Sequence, residues 1–143
     1  MEEFSTFQVS KLFNIERTRL QEWLDRGFFE PFRKASGKGT KAVFTRENLY
    51  QLRLFMLLLK WFESRSRAHT LSQVNFQNVG PAKDQYKFFV WRVPVAKGFL
   101  GGSSELVKEM PDFKVGISGN FIMMAINLLA VKKDVDRLIG LEG

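Results

Sequence analysis

The chain has 143 residues, no cysteine, a single histidine and a net charge of +7. That length makes one domain or two small ones, and the lack of cysteine excludes disulfides, thiolate metal sites and cysteine redox sensing. No apolar run approaches the roughly 18 residues of a membrane span, and the acidic start Met-Glu-Glu-Phe has no apolar signal region, so a cytoplasmic protein without a membrane partner is expected.

The charge is unevenly spread. Residues 1–67 hold 13 Lys/Arg against 8 Asp/Glu, and the remainder holds 9 against 7. A basic excess concentrated in one half favours a polyanion partner there. With 45% hydrophobic residues, 15 of them Phe, the chain has ample material for a core.

Ser5-Thr6-Phe7-Gln8 reads as a capping box opening a first helix over about Thr6 to Phe13. Asn14 can take the left-handed turn that follows. A second helix is expected from about Arg17 to Arg26, with Glu16 a poor cap and Gly27 the terminator. Phe7, Val9, Leu12, Phe13, Ile15, Leu20 and Trp23 have the spacing by which two short helices bury one shared face. Phe28-Phe29 reads as the start of an edge strand, where Pro31 is tolerated. Lys34 to Thr40 is glycine-rich and basic, the tip of a hairpin, and Val43-Phe44 is the return strand. Thr45 then caps an apolar helix from Arg46 to about Phe62. Its Leu54 to Leu59 run, with Trp61 and Phe62, suits either a core or a dimer seam. A further helix covers about Ser64 to Gln77.

Beyond Gly80-Pro81 the period changes. Gln85 to Val95 is strand-like with apolar residues on both faces, as in a strand covered twice. Ser104 to Met110 reads as a short helix stopped by Pro111. Phe113 to Ser118 and Phe121 to Leu129 read as strands joined at Gly119-Asn120. A helix from about Val131 to Leu141 closes the chain. The expected fold class is α+β: residues 1–79 a winged helix-turn-helix with two further helices, residues 80–143 a small β-α-β-β-α module for an effector or for dimerisation.

Taken together, Phe4, Val9-Ser10-Lys11-Leu12, Ile15, Leu20, Trp23, Gly27, Phe28-Phe29, Pro31 and Arg33, followed by Val43-Phe44-Thr45 and Asn48-Leu49, resemble the N-terminal DNA-binding domain of MerR-type transcription regulators. The resemblance covers about the first half of the chain. It implies double-stranded DNA as the partner, a homodimer, and action beside RNA polymerase at a promoter. It assigns the second helix to the major groove and the wing to the flanking backbone. Candidate DNA-binding residues are then Arg17, Thr18, Arg19 and Gln21 on the second helix. Arg reads guanine edges and Gln reads adenine. Arg33, Lys34, Lys38 and Lys41 on the wing are candidates for phosphate contacts. Where family members carry Arg in the return strand this chain has Ala42, which passes the wing contact to Lys41.

No catalytic constellation stands out. One histidine, His69, and no clustered carboxylates make no metal site, and no serine has a nucleophile context. No cofactor is expected. Phe88, Phe89, Trp91, Phe99, Met123 and Met124 suit a small-molecule effector pocket and equally the core of a small module. Two other readings stand beside the regulator: an excisionase-like protein that bends DNA for recombination, and a protein-interaction module that kept the fold, which Glu16, Glu22 and Ala42 would suit.

Overall fold

A computed structural model describes residues 2–36, 41–60, 62, 64–94, 103–109 and 121–142. The fold is α+β. The chain forms two compact units, one of Met1–Phe76 with Val131–Gly143 and the other of Gln77–Ala130.

The first unit opens with strand β1 (Phe4–Ser5) and helix α1 (Thr6–Phe13). The capping box forms as expected: the Gln8 amide donates to Ser5 Oγ at 3.2 Å, and the Ser5 amide donates to Gln8 Oε1 at 2.8 Å. Asn14 takes φ 53° and closes α1, while the Ile15 amide donates back to the Ser10 carbonyl at 2.9 Å. Helix α2 (Arg17–Asp25) starts without a side-chain cap from Glu16. At its end Gly27 sits at φ 71°, with Gly27 N–H on the Leu24 carbonyl at 3.2 Å and Phe28 N–H on the Trp23 carbonyl at 2.9 Å. This is a Schellman closure.

That closure overturns the expected strand at Phe28-Phe29. The Phe28 N–H is spent on the helix end, and residues 28–29 form a bend. Phe29 turns inward and stacks on Phe44, ring centroids 5.8 Å apart. Strand pairing begins only at Arg33, which exchanges both backbone hydrogen bonds with Val43 at 2.8 and 3.1 Å. Strand β2 (Val43–Phe44) pairs antiparallel with β1, Phe4 opposite Phe44 and Ser5 opposite Val43.

Helix α3 (Arg46–Leu58) begins with a second capping box, Thr45 with Asn48, and ends one turn short of the expected Phe62. It carries the core: Leu49, Leu52, Leu54 and Phe55 are fully buried, and the edge of Trp23 meets the Phe55 ring at 5.2 Å. Trp61 lies outside the described residues. Helix α4 (Arg65–Ser72) starts on a Ser64 cap and stops before the expected Gln77. A single 3-10 turn, Phe76–Asn78, follows.

The second unit holds a three-stranded antiparallel sheet in the order β4-β3-β5, formed by β3 (Phe88–Pro94), β4 (Ser103–Val107) and β5 (Phe121–Asn127). Phe89, Val90 and Trp91 are buried at successive positions, so both faces of β3 are covered. The helix expected at Ser104 to Met110 is a strand instead. Its register runs from Phe88 opposite Val107 to Arg92 opposite Ser103, a non-local pairing that overrides weak local helix preference. The expected strand at Phe113 to Ser118 and the turn at Gly119-Asn120 lie outside the described residues.

The last helix, α5 (Leu128–Glu142), starts three residues earlier than expected, because the Asn127 side chain caps it by accepting from the Ala130 amide at 3.0 Å. From Val131 onward it groups with the first unit. Val131 and Val135 are buried. Asp134 pairs with Arg53 at 3.1 Å, and Asp136 Oδ1 accepts from Arg46 Nη1 at 3.0 Å and from the Tyr50 hydroxyl at 2.5 Å.

Candidate nucleic-acid interface

The first turn of α2 presents Arg17, Thr18, Arg19 and Gln21, all exposed. Leu20 and Trp23, on the opposite face, are buried and fix the rotation of the helix. Three of the four exposed residues, Arg17, Thr18 and Gln21, line one open groove of about 690 Å³. The same groove takes in Lys34 and Lys41 from the two sides of the wing base, with Thr6, Phe7, Leu24 and Pro31 supplying apolar wall. Five of the eight candidate residues, separated by up to 24 positions in the chain, therefore converge on one surface.

Arg19 does not join them. Its guanidinium lies over the Trp23 ring, 5.2 Å from the centroid, and lines a second groove with Ile15, Met56, Leu57 and Lys60. Arg33 is exposed, with Nη2 3.8 Å from Glu3, and its backbone anchors the wing on Val43. Lys38 lies outside the described residues.

Charge pairing grades the cations. Lys34 Nζ is 4.0 Å from Glu30, and both side chains are more than half exposed. Such a pair is worth little and opens readily. Arg17 makes no ion pair among the described residues; its guanidinium rests over the Phe7 ring, 5.7 Å from the centroid. The Gln21 amide donates to Asp25 at 2.9 Å, so reading a base with it means exchanging that acceptor. Glu22, an acidic residue on α2, turns its carboxylate to Arg26 at 3.5 Å. Ala42 is buried while Lys41 is exposed, so at this edge of the wing the cation available to a phosphate is Lys41.

The sequence reading missed one member of this surface, Phe7, and one residue that supports the wing, Asn48. Phe7 fits the helical spacing of the core residues, yet it is 57% exposed, because Val9, Ser10 and Phe13 already fill the buried face of α1. Asn48 was read only as part of a helix start. Its Oδ1 accepts from the Thr45 amide at 3.0 Å and also from the Phe32 amide at 2.8 Å, so one side chain caps α3 and holds the entry to the wing. The exposure of Phe7 carried no sequence signal; Asn three residues after Thr did signal the cap.

Among the described residues no group of three or more His, Cys, Asp or Glu side chains could hold a metal, and no helix is long and apolar enough to cross a membrane. A comparison with curated proteins gives no match. Residues 4–64, from β1 through both helices, the wing and α3, match the family model described as MerR HTH family regulatory protein. Over residues 4–64 the chain is similar to MerR-type helix-turn-helix regulators.

Proposed function

We propose that the chain is a sequence-specific, double-stranded DNA-binding transcription regulator, acting as a homodimer, with the start of α2 in the major groove and the wing on the flanking backbone. The match of residues 4–64 to that family model supports DNA-binding regulation in general. The observation that carries the finer reading is the convergence of Arg17, Thr18, Gln21, Lys34 and Lys41 on one groove. The reading residues sit on a helix start and the positioning cations on a hairpin, the division of labour by which base contacts specify and phosphate contacts orient.

The test is fluorescence anisotropy with random-sequence duplex DNA at two salt concentrations. A binder neutralising several phosphates loses affinity steeply as salt rises. Lys41→Ala is expected to weaken binding to all sequences and reduce the salt slope by about one. Arg17→Ala is expected to weaken binding and relax sequence preference, and Arg19→Ala to do much less, because its guanidinium lies in the other groove. No salt-sensitive binding by the unaltered protein would overturn this function.

One observation favours a second reading, an excisionase-like protein that bends DNA without a partner coil. Helix α5 spends Val131 and Val135 on its own first unit rather than on a coiled coil with another copy. Sedimentation at several concentrations, with gel mobility of a site placed centrally or terminally in a duplex, separates a dimeric regulator from a monomeric bender.

A further inference from the structure

Phe7 is out of place for a residue whose only task is packing. It stands on the first turn of α1 with 57% of its surface exposed, on the wall of the basic groove. A large ring left in water is informative when it lies beside polar groups that converge on a ligand. Arg17 lies over this ring, 5.7 Å from guanidinium carbon to centroid. The contact restricts the arginine without using its N–H donors, since a ring face attracts the cation through its quadrupole. The donor fork of Arg17 has no acidic partner among the described residues. An arginine so held is preset for a two-pronged acceptor, and the O6/N7 edge of guanine is the base edge of that shape.

The ring supplies the complementary contact. Among base edges in the major groove, the 5-methyl of thymine is the apolar feature, and Phe is one of the side chains that meets it. Successive bases rise about 3.4 Å along a strand and are offset sideways by the helical twist. Two groups 5.7 Å apart therefore fall on neighbouring base pairs rather than on one. We propose that Phe7 and Arg17 together read a step of adjacent thymine and guanine, Arg17 taking the guanine edge and Phe7 covering the thymine 5-methyl. The proposal rests on the DNA-binding reading above and adds a specificity residue on the first helix to those on the second.

The experiment uses the whole chain and the duplex enriched by it from a random-sequence library. Each thymine of that duplex is replaced in turn by deoxyuridine, which removes the methyl group and leaves the pairing intact. Anisotropy is read for the unaltered protein, Phe7→Ala and Arg17→Ala. The expected result is one thymine beside a guanine at which uracil costs the unaltered protein about fourfold in affinity, the worth of one methyl-sized apolar contact. Phe7→Ala should bind the thymine and uracil duplexes equally, and Arg17→Ala should lose preference for the neighbouring guanine. The exposure of Phe7 makes its replacement mild for folding, and the uracil arm needs no variant at all. Three outcomes overturn the proposal: uracil tolerated at every position, discrimination retained by Phe7→Ala, or salt-sensitive binding with no sequence enriched. The last leaves general DNA binding intact, whereas no binding to any duplex removes the parent reading as well.

Discussion

Glu47 shows how a single side chain in the first unit balances burial against partnership. Burial pushes its carboxyl above the ordinary range, while the Phe76 amide, 2.6 Å away, and the Lys132 charge act in the opposite sense. A raised carboxyl contributes stability in full below its unfolded value, about pH 4.3, and that contribution is lost as pH rises through the folded value. Glu47→Gln keeps the acceptor and removes the charge, so it is expected to be neutral or stabilising at pH 7. Glu47→Ala orphans the Phe76 amide and is expected to cost about 1–3 kcal/mol. Asp134 has the reverse sign. The hydrogen bond from Arg137, then the Arg53 charge, outweigh burial and hold it below the usual carboxylate range. Its contribution is present above about pH 3.9 and lost as pH falls through the folded value, so Asp134→Asn should flatten the acid limb of a urea-denaturation series. At Gly27 a methyl group would meet nothing within 4 Å, so the cost of Gly27→Ala comes from φ 71° alone, about 1–2 kcal/mol in the same assay.

At the scale of elements, what was legible was what is decided within four residues. Ser5 with Gln8, Asn14, the uncapped Glu16 and Gly27 set the ends of α1 and α2, and Thr45 sets the start of α3, where the sequence places them, because caps use side chains adjacent to the groups they satisfy. The failures were non-local. Ser103–Val107 became a strand because β3 offers it a register, and Phe28-Phe29 lost its strand to the Schellman closure. The candidate site divided along the same line. The helix start and the wing could be named from residues, and helical spacing itself turns Arg19 away from Arg17, but it could not tell that Phe7 stays in solvent. Asn48 joins two elements, which makes it a sensitive probe. Asn48→Ala should cost about 1–2 kcal/mol as a lost cap, and hydrogen exchange at the Phe32 amide should accelerate beyond that of its neighbours, since its acceptor is removed.

At the scale of the whole molecule the first unit is discontinuous in sequence. Arg46 marks the closure: it meets Glu2 at 2.5 Å and Asp136 at 3.0 Å, so one guanidinium gathers residues from the two ends of the unit, and its own pKa is raised, chiefly by Glu2. Removing residues 131–143 would expose the partners of Val131 and Val135, worth about 1.5–3 kcal/mol for each fully buried side chain. It would also strip the Tyr50 hydroxyl and Arg53 of their acceptors. Thermal unfolding of the shortened chain should show a clear loss, with DNA binding falling in parallel. The same discontinuity has a consequence during synthesis. A ribosome must translate past Asp136, 78 codons beyond the end of α3 at Leu58, before Arg46 and Tyr50 find their last partner, so over that stretch the nascent helix-turn-helix is held by its own core alone. Ribosomes stalled within residues 77–130 would then display a weakened helix-turn-helix, and protease protection of such arrested chains should be lower than that of the released full chain.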